Sequence, residues 1–169
     1  MHEYRRSLAA LLADHVDAPY DPEQRAFIEK VADALYDRAE HLHRWPESVK
    51  HFYACYDLNH QVLNGGWSQV VCNVPELIQM GAQAFEALGC SVAAFVCRRA
   101  FSTLDVELVA YVEQGGKGTF GFDEALDRCN FYLLNQLDKQ TPSEFYVDDK
   151  LQLLVEQNRT DFRSVDRLS

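Results

Sequence analysis

Histidine and cysteine side chains gather in one stretch of this sequence and are the first candidates for chemistry. His51 and Cys55 lie four residues apart, so they share one face of a helix, and His60 follows five residues later. Such a pair could begin a zinc site, but no second pair completes tetrahedral coordination. Attack by Cys55 as a nucleophile would need an orienting third group and an oxyanion hole, and neither is evident. We therefore expect a packed cysteine, no metal, no cofactor and no catalytic residues.

Two glycine-rich stretches are candidates for a phosphate-binding loop. A Walker loop needs Gly-x-x-x-x-Gly-Lys-Ser/Thr, yet the first glycine position before Gly116 and Lys117 is occupied by Tyr111. The pair Gly65 and Gly66 has no lysine after it. Isolated glycine pairs usually mark turns, so we expect no nucleotide at either stretch.

The stretch VLNGGWSQVVCN resembles a hairpin turn locally, because Asn-Gly between apolar residues is a strong turn signal. The residues before it contradict a hairpin, since apolar and aromatic side chains recur there at helical spacings of three and four. We therefore predict that Asn64, Gly65 and Gly66 end one helix and turn the chain. In this interpretation Trp67 packs the corner and Asn73 caps the next helix. The proposed structural motif comprises Asn64, Gly65, Gly66, Trp67, Gln69 and Asn73.

Acidic side chains form two rows at helical spacing, and these are the candidate partner-binding residues. Residues four apart lie one above another on a helix, so like charges stacked in this way reduce its stability. An ordinary solvated face remains the alternative interpretation of both rows. The first row comprises Glu29, Asp33, Asp37 and Glu40, and the second comprises Glu144, Asp148 and Glu156.

Composition narrows the classes of partner. The chain of 169 residues has 26 acidic and 16 basic side chains, for a formal charge of -10. Such a charge disfavours direct binding to nucleic acid or anionic membranes and favours cationic or DNA-binding protein partners. Five scattered cysteines without a Cys-x-x-Cys pair suit a reducing compartment, so we expect a cytoplasmic protein. The apolar run Leu8–Ala13 resembles an export signal after Arg5 and Arg6, but it is short and Asp14 ends it, so we expect no export. No apolar stretch approaches the roughly 20 residues that a membrane span requires, and Arg98 and Arg99 interrupt the best candidate.

Helix signals predict an all-α fold in one compact domain over residues 1–169, with helices joined by short turns marked by proline and glycine. Capping-box patterns begin at Asp21 and at Thr141, and Asn73 begins a further one. Gly89 is predicted to end a helix and Ser91 to cap the following one. Two longer helices are expected. The first carries Ile28, Val31, Leu35, Leu42 and Trp45 on its apolar face, and the other runs from Asp123 through Cys129 to Leu137.

Arg38 falls inside the apolar face of the first predicted helix. A buried arginine needs a carboxylate partner or must extend to solvent past its neighbours. We expect it to be a structural residue, held by a carboxylate such as Asp57.

The motif resembles that of a family of small domains named for a DNA-mimic protein, in which Asn-Gly-Gly-aromatic-x-Gln precedes Tyr-Phe-x-Asn. The similarity is strongest from Ser48 to Cys90 and looser from Phe122 to Phe162, so the family-like core spans about 48–162. Val70 and Val71 replace the aromatic pair, so packing after the motif must differ. The resemblance implies an all-α fold, a homodimer, and an acidic surface that occupies the DNA-binding face of a transcription factor.

Three functional hypotheses follow from the sequence. The leading one is a non-enzymatic protein whose acidic rows bind a basic DNA-binding protein and block its access to DNA. The alternative is an immunity or inhibitor module whose partner does not bind DNA and whose contact surface includes Trp67. A third, enzymatic hypothesis places Asn59, Asn64 and Gln69 in a polar pocket with His60 or Cys55.

Overall fold

Helices form the regular structure of the part of the chain that the structure describes. The computed structural model describes Leu8, residues 22–113, 127–139, Phe145 and residues 147–168. Within those ranges the helices are α1 (Pro22–Tyr36), a 3-10 helix (Ala39–Arg44), α2 (Glu47–Asn73), α3 (Glu76–Ala87), α4 (Ser91–Phe101), α5 (Val106–Glu113), α6 (Phe131–Asp138), α7 (Asp148–Gln157) and α8 (Arg159–Val165). The described residues include no β-strand, which confirms the predicted all-α fold. None of these helices is long and apolar enough to cross a membrane.

The chain forms two compact units. One comprises Met1–Tyr53 with Val147–Ser169, and the other comprises Ala54–Tyr146. The boundary falls inside α2, so this helix contributes residues to both units. The expectation that residues 1–169 make a single domain stays a prediction.

In the unit built from the two ends of the chain, α1 packs against α7, and α7 against α8. The buried face of α1 carries Ile28, Val31 and Leu35, as its periodicity predicts. Aromatic rings complete this core through edge-to-face contacts. Trp45 meets Tyr53 with ring centroids 5.5 Å apart, and Phe52 meets Phe162 at the same separation.

The helix α1 ends just before Arg38, earlier than the apolar pattern of the sequence predicts. The predicted helix through Leu42 is wrong, because α1 stops at Tyr36 and a 3-10 helix follows. The Arg38 guanidinium is buried, donates to the carbonyl of Ala34 in the last turn of α1, and pairs with Asp166 at 3.3 Å. It thereby satisfies a backbone acceptor that a helix end leaves open. Arg38 is thus structural as expected, but its partner is Asp166 rather than Asp57.

In the unit Ala54–Tyr146, α3 and α4 form the most extensive helix pair. Small residues allow this close packing, since Ala84, Ala93 and Ala100 are all fully buried. A Cβ on Gly81 would lie 2.0 Å from the side chain of Leu58, so α2 also approaches α3 at a distance that only glycine permits. Gly89 ends α3 with φ at 72°, which confirms the predicted left-handed helix end.

Several predicted helix starts are wrong. Asn73 is the last residue of α2 and caps nothing, because its side chain donates to Gln61 instead. Ser91 is the first residue of α4, which Cys90 precedes without a side-chain cap. The helix predicted from Thr141 begins only at Asp148. Thr141 itself, and Asp21 before α1, lie outside the described residues.

The helix predicted from Asp123 to Leu137 does not pass through Cys129. This residue forms an isolated antiparallel bridge with Leu104, and the neighbouring backbone bonds join Asp105 to Arg128 and Asn130 to Thr103. The Asn130 side chain then caps α6 by accepting from the backbone N–H of Leu133. Pairing with residues 103–105 therefore replaces the helix at this point, while residues 123–126 lie outside the described part.

Candidate interaction surface and motif cluster

The first acidic row lies on the solvent-facing side of α1 and the 3-10 helix, and we call it the acidic ridge. Asp33, Asp37 and Glu40 are exposed, and Glu29 is partly exposed. Arg25 pairs with Glu29 at 3.1 Å and neutralises one of the four charges. His41 lies 3.5 Å from Glu40 and adds a positive charge only when protonated. The ridge therefore presents carboxylates to solvent, with partial compensation at both of its ends.

The charge density of the ridge can be compared with that of DNA. Carboxylates four residues apart on a helix rise about 6 Å along its axis. One strand of duplex DNA carries a charge about every 3.4 Å along the axis. On α1, where Glu29 and Asp33 have this spacing, the ridge therefore supplies roughly half of the linear charge density of one strand, and Asp37 and Glu40 lie beyond the end of this helix.

The second acidic row is less regular than the sequence predicts. Glu144 lies outside the described residues. Asp148 is partly buried in the first turn of α7, and Glu156 accepts a 2.6 Å hydrogen bond from Gln152 on the same helix. Asp149, which was not among the predicted partner-binding residues, is exposed. Its spacing of seven residues from Glu156, two turns of a helix, was the signal that could have identified it.

The helices that carry the two rows belong to the same unit and pack against each other. Contacts join α1 to α7 through their buried apolar faces. The outward carboxylates of both helices are therefore carried on a backbone that is already ordered by packing.

The glycine motif breaks α2 at a single residue. Gly66 has φ 72° and ψ -169°, whereas the remainder of α2 is helical. Gln61 and Asn73 would be about 18 Å apart along a straight helix, yet their side chains meet at 2.9 Å. The chain therefore folds back at Gly66, as the hinge prediction requires, and Asn64 and Gly65 remain in helical conformation.

An aspartate distant in sequence stabilises this break. Asp138, at the end of α6, accepts a 2.7 Å hydrogen bond from the backbone N–H of Trp67. This bond satisfies a donor at the start of the second arm of α2, as an N-cap does. A Cβ on Gly66 would lie 2.6 Å from the Asp138 carboxylate. Gly66 is therefore required both by its backbone conformation and by the space that Asp138 occupies.

Trp67, Gly65 and Gln69 pack around the fold-back at Gly66. Trp67 is completely buried and meets Phe145 edge-to-face at 5.8 Å. A Cβ on Gly65 would lie 2.1 Å from the Gln69 side-chain oxygen, so Gly65 leaves room for that amide. Because Trp67 has no exposed surface, the hypothesis of an interaction module that contacts its partner through Trp67 is wrong in that detail.

Polar side chains on both arms of α2 converge on Gln61. Its side-chain oxygen accepts from Gln69 at 2.8 Å and from Asn73 at 2.9 Å. Its amide nitrogen donates to Asp57 at 3.2 Å. This network joins the two arms and was not predicted from the sequence. We call Asp57, Gln61, Gln69, Asn73 and the neighbouring Glu76 the motif cluster.

Two carboxyl groups of the motif cluster are perturbed by burial. Burial raises the pKa of Asp57, while the hydrogen bond from Gln61 and the charge of His60 oppose this effect. Burial also raises the pKa of Glu76, and the nearby charge of Asp57 raises it further.

The cysteine and histidine side chains proposed for chemistry make other contacts in the structure. Cys55 is fully buried, and burial raises the pKa of its thiol well above the ordinary value, so a thiolate is disfavoured. His60 stacks on Tyr56 with centroids 4.7 Å apart, and His51 lies 3.8 Å from Glu47. Across the described part of the chain, no three His, Cys, Asp or Glu side chains form a group that could hold a metal.

The fold and the surface define a class of protein: an acidic all-helical protein whose packed helices present a carboxylate ridge. The chain belongs to the family of DMP19-like proteins, whose model matches residues 43–158. This result confirms the resemblance deduced from the motif. The comparison with curated proteins found no match, and neither did the comparison with solved structures. The acidic ridge precedes the matched range, whereas α7 and the motif cluster lie inside it.

Proposed function

We propose that this protein is a non-enzymatic DNA mimic that acts in the cytoplasm, as a homodimer, by binding a basic DNA-binding protein. The exposed carboxylates of the acidic ridge carry this proposal, with Asp149 and Glu156 of α7 as a second source of charge. Carboxylates held on packed helices can occupy cationic pockets that are shaped for phosphates. The partner would then be unable to bind DNA through the same surface.

Two further observations support the proposal. The formal charge of -10 attracts a basic protein and accelerates its encounter with the ridge. Membership of the DMP19-like family agrees with an all-α acidic mimic. Because the ridge lies before the family match, its role rests on its own charge and exposure.

Affinity capture tests the proposal. The tagged full-length protein is incubated with extract at about 50 mM salt, and bound proteins are eluted with a salt gradient and identified. We expect a basic DNA-binding protein that elutes as rising ionic strength screens the interaction. A specific partner that does not bind DNA would instead support the immunity or inhibitor alternative. A partner whose retention is independent of salt would contradict the electrostatic mechanism.

A further inference from the structure

The helix pair α3 and α4 bears a groove that is open to solvent. Its volume is about 690 Å³, which lies in the range of pockets that take up a docked group. Apolar side chains line part of it, among them Ala82 and Ala87 of α3 and Phe101 of α4. Glu86 and Arg98 add one charge of each sign to its walls. The groove is therefore both apolar and electrically balanced.

Large apolar side chains are exposed beside the groove on α4. Phe95 is 58% exposed, and Val92, one turn earlier, is 46% exposed. Residues three apart on a helix are neighbours on its surface, so Phe95 lies next to Arg98 at the edge of the groove. Exposed apolar patches rimmed by polar residues are typical of protein contact surfaces. The same face therefore offers a projecting aromatic ring and a recess.

Charge restricts the kind of protein that this face fits. The helix α3 contains two glutamates and no basic residue, and α4 contains two arginines and no acidic residue. The helix pair is thus formally neutral within a chain of charge -10. A basic DNA-binding protein gains no attraction from a neutral face, unlike from the acidic ridge. Two copies of this acidic chain, in contrast, repel each other least where their surface is neutral.

The charges on this face are also self-complementary. Arg98 pairs with Glu86 at 3.1 Å, and both side chains are more than half exposed. In a twofold interface the same patch occurs on both subunits, so it must carry its own complement. Arg98 of one copy could then bond to Glu86 of the other, while Phe95 of each copy enters the groove of the other. A second copy of the chain therefore fits both the charges and the shape of this face.

We propose that the α3–α4 face is the surface through which two copies of this chain associate. The inference rests on the homodimer in the proposed function and assigns its interface to helices other than those of the acidic ridge. Each copy carries its own ridge, so partner capture by a monomeric variant reports on DNA mimicry separately from the interface.

Reversing the charges at Glu86 and Arg98 tests the interface by analytical ultracentrifugation of the full-length protein. Glu86→Arg places four arginines at the twofold contact, and Arg98→Glu places four glutamates there. We expect the unchanged protein to sediment as a dimer and each variant alone as a monomer, because like charges oppose each other. An equimolar mixture of the two variants should form a heterodimer, since opposite charges then meet at both contacts. Recovery in the mixture also shows that both variants fold.

An apolar pair of variants separates Phe95 from the general effect of an added charge. Phe95→Asp should raise the dissociation constant of the dimer about 100-fold, because an aromatic anchor is lost from both copies. Leu153→Asp adds the same charge at a side chain of similar exposure, 51%, on α7 and should leave the dimer intact.

Three results would overturn the proposal. An unchanged protein that sediments as a monomer would assign the face to a different partner. A mixture of Glu86→Arg and Arg98→Glu that stays monomeric would exclude the pairing across the twofold axis. Equal dissociation of the dimer in Phe95→Asp and Leu153→Asp would show that added charge, rather than the α3–α4 face, determines association.

Discussion

Replacing Gly66 with alanine is expected to lower the free energy of unfolding by about 3–4 kcal/mol. The backbone of Gly66, at φ 72° and ψ -169°, lies in a region that is essentially restricted to glycine. The new Cβ would also lie 2.6 Å from the Asp138 carboxylate, which cannot move away without losing its hydrogen bond from Trp67. Urea denaturation of the full-length protein measures the loss.

Gly89→Ala provides a matched control. Gly89 has the same φ of 72°, but a Cβ added there meets no atom within 4 Å. Only the conformational cost remains, and we expect a loss of about 1–2 kcal/mol. Equal losses in Gly66→Ala and Gly89→Ala would show that the contact with Asp138 contributes nothing.

A double-mutant cycle tests whether the contact with Asp138 causes part of the stability loss in Gly66→Ala. Asp138→Ala alone should cost about 1–2 kcal/mol, because the N–H of Trp67 loses its acceptor. The same change removes the carboxylate atoms that a Cβ at Gly66 would meet. Gly66→Ala combined with Asp138→Ala should therefore cost less than the sum of the single losses. Strict additivity would exclude the steric explanation.

The second large effect is expected at the acidic ridge. Changing Glu29, Asp33 and Asp37 together to lysine should weaken binding to the captured partner about 100-fold at low salt. Each reversal replaces an attraction by a repulsion of about 1 kcal/mol, and about 1.4 kcal/mol corresponds to a tenfold change in affinity. The difference from the unchanged protein should decrease as salt screens the charges. Isothermal titration at several salt concentrations measures both quantities.

An equal change of net charge elsewhere provides the control for the ridge. Glu86, Glu113 and Asp127 are exposed and belong to the unit Ala54–Tyr146. Reversing these three should alter the affinity only a few-fold, because their effect acts through the long-range field rather than through contact. If both triple variants lose the same affinity, net charge rather than the ridge determines binding.

Local sequence signals predicted the helical class and the break in α2, because caps, helical periodicity and glycine act over a few residues. The interactions that stabilise the end of α1 and the break in α2 are long-range. Arg38 finds its partner 128 residues away in Asp166, and Trp67 finds its cap 71 residues away in Asp138. Neither pairing leaves a pattern in a single sequence.

Local rules also failed where a side chain had a better partner elsewhere. Asn73 and Glu76 match a capping box, but the Asn73 amide bonds to Gln61 across the fold-back. Glu156 accepts a hydrogen bond from Gln152 one turn earlier on the same helix, and its role in the second row stays a prediction. The acidic ridge could be proposed because spacing on one helix suffices to define it. The motif cluster could not be predicted from the sequence, since it requires the two arms of α2 to be brought together.

Competition with DNA tests the central claim most directly. The captured partner is bound to a labelled duplex carrying its site, and the full-length protein is titrated in while release of the duplex is followed by fluorescence anisotropy. If the protein occupies the DNA-binding surface, the duplex should be released completely, and its apparent dissociation constant should increase linearly with protein concentration. A complex containing partner, duplex and protein together, or an unchanged affinity for the duplex, would contradict DNA mimicry.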